Sequence, residues 1–249
     1  MTRTPPIPRV YRCVRTPEPP GLTAPGDAFP WSLAPWSEPF VDISDDHGRP
    51  SPPPPLDTRF KMLWDDRALH VLVWMDEPHV RATLTERDSV IYADNDIELF
   101  LDPTGAGRRY YEIEVNALGT VFDLALDRPY HEGGRADHTF DVRGLRACVR
   151  VDGTLNDPRD TDRGWAAGLA VPWAALDRHG QSPGRPPAPG ERWRVNVSRV
   201  QWDHRIVHGR YETVPGRPEH NWVWSPTGRI DMHRPERWGV VTFEPAPGP

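Results

Sequence analysis

The sequence predicts an all-β fold, a two-sheet antiparallel β-sandwich of jelly-roll or immunoglobulin-like type with long proline-rich loops. Three observations carry this. Nearly every patterned segment alternates apolar and polar residues with period two, and none sustains the 3.6-residue period of a helix. Proline reaches 31 of 249 residues, about half of them before residue 56, a density that forbids long helices. The chain also carries 11 tryptophans, broad apolar faces that can fill the space between sheets or stack on sugar rings.

Taken in order, residues 9–14 read as an early edge strand. Residues 16–36 form a Pro- and Gly-rich meander, 39–43 a short strand, and 47–55 a stiff extended loop ending in four prolines. Residues 58–64 alternate, with Thr58, Phe60, Met62 and Trp64 on one face. Asp65-Asp66-Arg67 turns the chain into 68–75, a near-continuous apolar run suited to a central strand. Residues 96–102 and 110–116 form a hairpin across the glycine-containing turn 103–108. Further strands are expected at 121–127, 145–151, 164–171, 193–202 and 239–244, with one helical turn at 172–176 opened by proline. No repeat divides the chain, so residues 1–249 are expected to form one domain, with the Pro-rich segment 1–36 packed on or near it; Trp31 and Trp36 point that way.

Composition narrows the partners. Lys and Arg total 30 against 36 Asp and Glu, a net charge of −6, with no basic stripe of the kind nucleic acid requires. A mean hydropathy of −0.66 and the lack of a long apolar run exclude a helical membrane span. The opening residues have no apolar core of signal-peptide type, which predicts a cytoplasmic protein with Cys13 and Cys148 reduced and free of metal. No protein partner is indicated.

Familiar catalytic signatures are absent: no CxxC, no Gly-x-Ser-x-Gly, no HExxH and no phosphate-binding glycine loop. His131-Glu132-Gly133-Gly134 lacks the second histidine of a zinc motif and suits a turn. Asp94-Asn95-Asp96-Ile97-Glu98 begins like a calcium loop, but Leu99 and Gly105 stand where the glycine and the final glutamate belong. Asp94 and Asp96 remain weak candidates for a structural calcium, and no other cofactor is indicated.

One constellation survives. On the hairpin, Ile97, Leu99 and Leu101 share one face, as do Ile113 and Val115. Glu98 and Phe100, with Glu112, Glu114 and Asn116, therefore take the opposite, outer face. The turn length makes Glu98 and Glu114 near cross-strand neighbours, within a register error of about one residue. Like charges so placed repel unless a ligand, a cation or a basic neighbour compensates them. Neutralisation by nearby Arg or Lys and a polar patch that binds sugar hydroxyls are both consistent with the spacing. Tyr92, just before the first strand, offers a stacking face.

The runs Lys61-Met-Leu-Trp-Asp-Asp66, Asp94-Asn-Asp-Ile-Glu-Leu-Phe-Leu-Asp102, Tyr110-Tyr-Glu-Ile-Glu-Val-Asn116 and Asn221-Trp-Val-Trp-Ser-Pro226, with Pro235-Glu-Arg-Trp-Gly239, resemble carbohydrate-binding module family 9, in particular its stand-alone bacterial type. The resemblance runs from about residue 10 to the end. It implies a β-sandwich, recognition of a sugar or glycan end in a carbohydrate catabolic setting, and often structural calcium. By position, the first stacking aromatic falls on Tyr92, and polar contacts fall on Glu98 and Asn116. Glu114 stands where the family places a basic residue. The second aromatic falls near Met232, beside His233, with Trp222 as a substitute. The leading expectation is therefore a carbohydrate-binding protein. The alternative is a glycoside hydrolase acting on O-glycosyl bonds, with Glu98 and Glu112 or Glu114 as paired carboxylates. A third reading, from haem-binding proteins of similar fold, has only Met232 as an iron ligand and no partner for it.

Overall fold

A computed structural model of the chain describes residues 6–45, 51–177 and 184–248. Part of the proline-rich loop expected at 47–55 lies outside these residues. Among the described residues there are fifteen strands: β1 (Val10–Arg15), β2 (Val41–Asp42), β3 (Thr58–Trp64), β4 (Ala68–Asp76), β5 (Asp96–Asp102), β6 (Tyr110–Asn116), β7 (Val121–Leu126), β8 (Ala136–Asp137), β9 (Arg146–Asp152), β10 (Gly164–Pro172), β11 (Arg192–Gln201), β12 (His204–Val207), β13 (Arg210–Thr213), β14 (His220–Val223) and β15 (Gly239–Glu244). The helical turn expected at 172–176 is a 3-10 turn, Trp173–Ala175. The weakly alternating β8, β12, β13 and β14 had no clear sequence signal.

Eleven strands pair along one path, β8-β7-β6-β5-β11-β15-β1-β3-β4-β10-β9, and β14 on β11 with β2 on β14 completes a 13-stranded sheet; β12 and β13 form a separate hairpin. The path curls over so that its two halves face each other as a sandwich. Phe60, Met62, Val71, Val73, Trp165 and Leu169 from one half share a core with Leu99, Ile113, Val115, Trp193 and Val197 from the other. Two expectations need correction. The first strand is not an edge: β1 lies between β15 and β3 and joins the two halves. Both of its pairings are parallel, one with the last strand, β15, and one with β3; the other pairings of the described strands are antiparallel.

Both outer faces are partly covered, which explains the near-continuous apolar strands. Over β3, β4 and β10 lies the segment 22–36. Trp31 is fully buried against Leu63, Leu72 and Ala166, its indole N–H donates to Gly21 O at 2.9 Å, and its carbonyl accepts Lys61 Nζ at 3.1 Å. Over β5, β6 and β7 lies a second apolar cluster containing Phe100, Tyr110, Phe122, Leu124, Val223, Met232 and Trp238. Trp238 thus packs outside the inter-sheet core that holds Trp64, Trp165 and Trp193.

Gly168 of β10 tests how closely the N-terminal segment is seated. A Cβ built there would lie 1.9 Å from Leu22 O. Glycine to alanine inside a strand ordinarily stabilises, but here the added methyl meets backbone. Gly168→Ala is expected to lower stability by about 1–3 kcal/mol, the usual range for overpacking, in urea unfolding. A neutral or stabilising result would show that the segment does not hold this approach.

Candidate functional site

Strand alternation and hairpin register build the site. Asp102, at the end of β5, binds the turn that follows. Its Oδ1 accepts Thr104 N at 3.1 Å and Gly105 N at 2.9 Å, and its Oδ2 accepts Gly107 N at 2.8 Å. Gly105 and Gly107 adopt φ of 66° and 73°, which favours glycine there. The resulting register sets Glu98 opposite Glu114, Phe100 opposite Glu112 and Asp96 opposite Asn116. On the other side of β5, Ser198 of β11 stands opposite Glu98.

The face carrying these residues is the floor of a pocket rather than an open outer surface. Burial differs from the expectation because the second apolar cluster rises around it: Phe122 and Leu124 of β7, Met232 and Ile43 all reach the pocket wall. The pocket has a volume of about 350 Å³. Tyr92 and Tyr130, each 46% exposed, also line it. Tyr92 sits on a short 3-10 turn, Ile91–Ala93, whose Tyr92 carbonyl accepts the Trp202 indole N–H at 2.9 Å. His233 lies edge-on to Tyr130 with ring centres 4.4 Å apart, and its Nδ1 is 3.0 Å from the Tyr110 hydroxyl.

The electrostatics are unusual. Asp96, Glu98, Glu112 and Glu114 are all buried, and burial is the largest cause raising each carboxyl above its ordinary range. Repulsion from Glu98 adds to the rise at Asp96 and Glu112, and from Asp96, Glu112 and Glu98 to that at Glu114. Glu98 is pushed up to about 7, with the facing Ser198 hydroxyl offsetting part of the effect. That hydroxyl is close enough to favour the ionised form, yet it has no hydrogen bond of good geometry. His233 moves the other way, to about 4, chiefly through burial. Its Nε2 is 3.9 Å from Glu112 Oε2, and burial disfavours the charged form of both groups, which works against an ion pair.

Asp96, Glu98 and Glu114 each present an oxygen, and these atoms lie within 4.8 Å of one another, the arrangement that could hold a metal ion. Asp94 does not join them. Its oxygens accept Thr83 N at 2.6 Å, Thr83 Oγ1 at 2.8 Å and Leu84 N at 2.8 Å, which ties down the preceding loop. Asn116 serves a similar local purpose, donating to Leu84 O and accepting Leu118 N and Thr120 N. Trp222 points into the inter-sheet core, its ring 5.2 Å from the Arg199 guanidinium. Its neighbour Asn221 lines the pocket instead. Of the residues singled out in the sequence, Tyr92, Glu98, Glu112, Glu114, Met232 and His233 line the pocket, and Asp96 sits beside its floor. Tyr130, Glu219, Asn221 and Asp231 line it without having been singled out. None of them had a clear sequence signal; the pairing of β14 with β11 is what puts Asn221 on the face opposite Trp222.

Comparison with known proteins identifies the lineage. The model of carbohydrate-binding family 9 matches residues 51–182, more than half of the chain. The chain belongs to carbohydrate-binding family 9. No curated protein matches this family 9 chain. Among solved structures it is similar to a candidate carbohydrate-binding protein from Bacteroides uniformis ATCC 8492, at 19% identity and a TM-score of 0.66 over 96% of this chain and 100% of that one. It is also similar to a family 9 module from Caldicellulosiruptor kristjanssonii in complex with cellotriose, at 14% identity and a TM-score of 0.59 over 96% and 95% of the two chains. The glucose complex of a family 9 module from the same organism gives 15% identity and 0.57 over 96% and 98%. At these identities the likeness establishes the fold, and the pocket has to be argued from this chain's own residues.

The raised carboxyls set a pH dependence. Folding lifts Glu98 from 4.5 to about 7, so the folded state holds this proton more tightly than the unfolded chain. The resulting stability is present in full below about pH 4.5 and is lost as pH rises through 7. In chelator-treated protein without ligand, stability is expected to fall by about 3 kcal/mol from this group as pH rises from about 5 to 8. Glu98→Gln should flatten the decline. A wild-type melting temperature constant over that range would show that Glu98 does not retain its proton.

Proposed function

We propose that this family 9 chain binds a carbohydrate, by its end, in the pocket over β5, β6 and β7. The observation that carries the reading is the combination inside one pocket of two half-exposed tyrosines with a floor of carboxyl oxygens that lack partners. A pyranose offers an apolar ring face and a rim of hydroxyls, so it needs an aromatic wall beside an array of acceptors and donors. Tyr92 and Tyr130 supply the wall. Glu98, Glu112 and Glu114 supply the array, in either protonation state. The pocket volume lies at the lower end of the range for small-ligand sites, which suits one or two sugar units rather than a long chain. The glucose and cellotriose complexes of the Caldicellulosiruptor modules support glucose-type probes as the starting panel.

Hydrolysis remains the second reading because of one observation, the direct cross-strand pairing of Glu98 with Glu114. A retaining glycosidase places its two carboxyls ~5 Å apart. We also propose that residues 1–249 act as one domain, supported by the burial of Trp31 under the N-terminal segment's own contacts with β3 and β4.

The test is calorimetric titration with glucose, cellotriose and a wider set of oligosaccharides, followed by analysis of the recovered sugar. Saturable binding without cleavage is expected, weakened roughly 10-fold by Tyr92→Ala, the loss of about 1.4 kcal/mol that one stacking contact supplies. Released product abolished by Glu98→Gln would establish the hydrolase. Absence of binding across the panel would overturn the carbohydrate reading of this pocket.

A further inference from the structure

The polar atoms left without partners are not scattered. Six of the eight buried side-chain atoms lacking a hydrogen bond among the described residues belong to Asp96, Glu98, Glu112, Glu114 and Ser198. Buried polar groups in folded proteins are nearly always satisfied, so a cluster of orphans on one floor points to a missing partner. Asp96 contributes both of its carboxylate oxygens to this group, and Ser198 is fully buried. On β11, alternation turns Ser198 toward Glu98 and sends Arg199 to the opposite face, where Glu77 holds it at 3.0 Å. Charge compensation for the carboxyls therefore comes from protons or from a bound cation, not from that arginine.

We propose that Asp96, Glu98 and Glu114 bind one divalent cation of the hard, oxygen-preferring class, with Ser198 Oγ as a neutral donor beside them. The donor set contains oxygen alone, which favours Ca²⁺, Mg²⁺ or Mn²⁺ over metals that seek nitrogen or sulfur. Spacing narrows the choice. Oxygens around Ca²⁺ sit at ~2.3–2.6 Å, so two on opposite sides of the ion are up to about 5 Å apart. Oxygens around Mg²⁺ sit at ~2.0–2.1 Å and span at most about 4.2 Å. The three carboxylate oxygens here lie no farther than 4.8 Å apart, inside the span of the larger ion, whereas the smaller one needs every pair within about 4.2 Å. Glu98 and Glu114 line the pocket floor, with Asp96 and Ser198 beside it. The pocket side of the coordination sphere is left for water or, where the carbohydrate reading holds, for sugar hydroxyls; that last clause alone rests on the proposed function.

The full chain is treated with chelator and titrated with Ca²⁺ and with Mg²⁺ by calorimetry, and with Tb³⁺ read by luminescence sensitised through the pocket tyrosines. We expect one equivalent of Ca²⁺ to bind more tightly than Mg²⁺ and to raise the melting temperature. Glu114→Gln should weaken Ca²⁺ at least 10-fold, and Glu98→Gln with Glu114→Gln together should abolish it. The double variant removes mutual repulsion, so in chelator it should melt no lower than the wild type; this separates lost ligation from lost folding. Asp66→Asn, on a remote exposed turn, should bind as the wild type does. No binding of Ca²⁺, Mg²⁺ or Tb³⁺ at millimolar concentration, or binding retained by the double variant, would overturn the proposal. A sugar titration run with and without Ca²⁺ keeps the two readings apart, since sugar binding can fail while the ion still binds, and the reverse.

Discussion

Four carboxyl groups on adjacent strands, buried under an apolar wall, cannot all carry charge, and that constraint governs the chemistry of the pocket. The register of one hairpin enforces it. Asp102 gathers the turn amides, the turn fixes β5 against β6, and Glu98 is set opposite Glu114 on one side and Ser198 on the other. A slip of one residue would turn the acids into the inter-sheet core and the isoleucines and leucines into the pocket. The cost of the buried acids is therefore tied to the same register that builds the hydrophobic core, and neither can be relieved by local adjustment.

The surroundings are arranged to hold this cost rather than to cancel it. Arg199, the charged residue nearest along β11, is committed to Glu77, Thr58 and Gln201 on the opposite face. His233, the ring above Glu112, is kept neutral by its own burial between Tyr130 and Phe100. A site whose own residues withhold a counter-charge leaves it to whatever binds: hydroxyl donors, an ion, or both. Tyr92 and Tyr130 then limit access to ligands that can lie against a ring.

Much of this was legible in the sequence, for a physical reason. The hairpin 96–116 alternates cleanly and contains its own turn, so faces and register followed from local chemistry. The apolar run 68–75 was legible as a central strand because a strand covered on both faces reads as a continuous apolar stretch. What escaped depended on distant packing. Nothing in the alternation of Glu98 and Glu114 says whether their face is wet, because the wall comes from residues near 43, 122 and 232. Tyr130 sits beside the His131-Glu132-Gly133-Gly134 turn, and a turn has no period from which a direction can be read. Asn116 and Asp94 matched a binding pattern by type and place, but their hydrogen bonds to neighbouring loop amides, two to eleven residues away, had already claimed them. Trp222 failed for want of a strand assignment: once β14 is paired with β11, alternation sends its indole inward and Asn221 outward.

The electrostatics also bear on the choice between binding and turnover. A glycosidase separates its two carboxyls in character, one protonated as acid and the other ionised as nucleophile or base, and the protein environment pushes their pKa values apart. Here burial raises all four, and repulsion within the cluster adds to the rise at Asp96, Glu112 and Glu114, while the hydrogen bond between Glu112 and Glu114 favours ionisation of Glu112 over Glu114. Only Ser198 beside Glu98 favours ionisation of one member through a side chain outside the cluster, and it leaves that carboxyl near neutrality rather than firmly charged. An acid and base pair made from this set would need a charge the chain does not provide at the floor. A cation would supply it, but would then occupy Glu98 and Glu114, the two groups a hydrolase needs free. An ion held there as proposed would therefore compete with glycosidic cleavage by the same two residues.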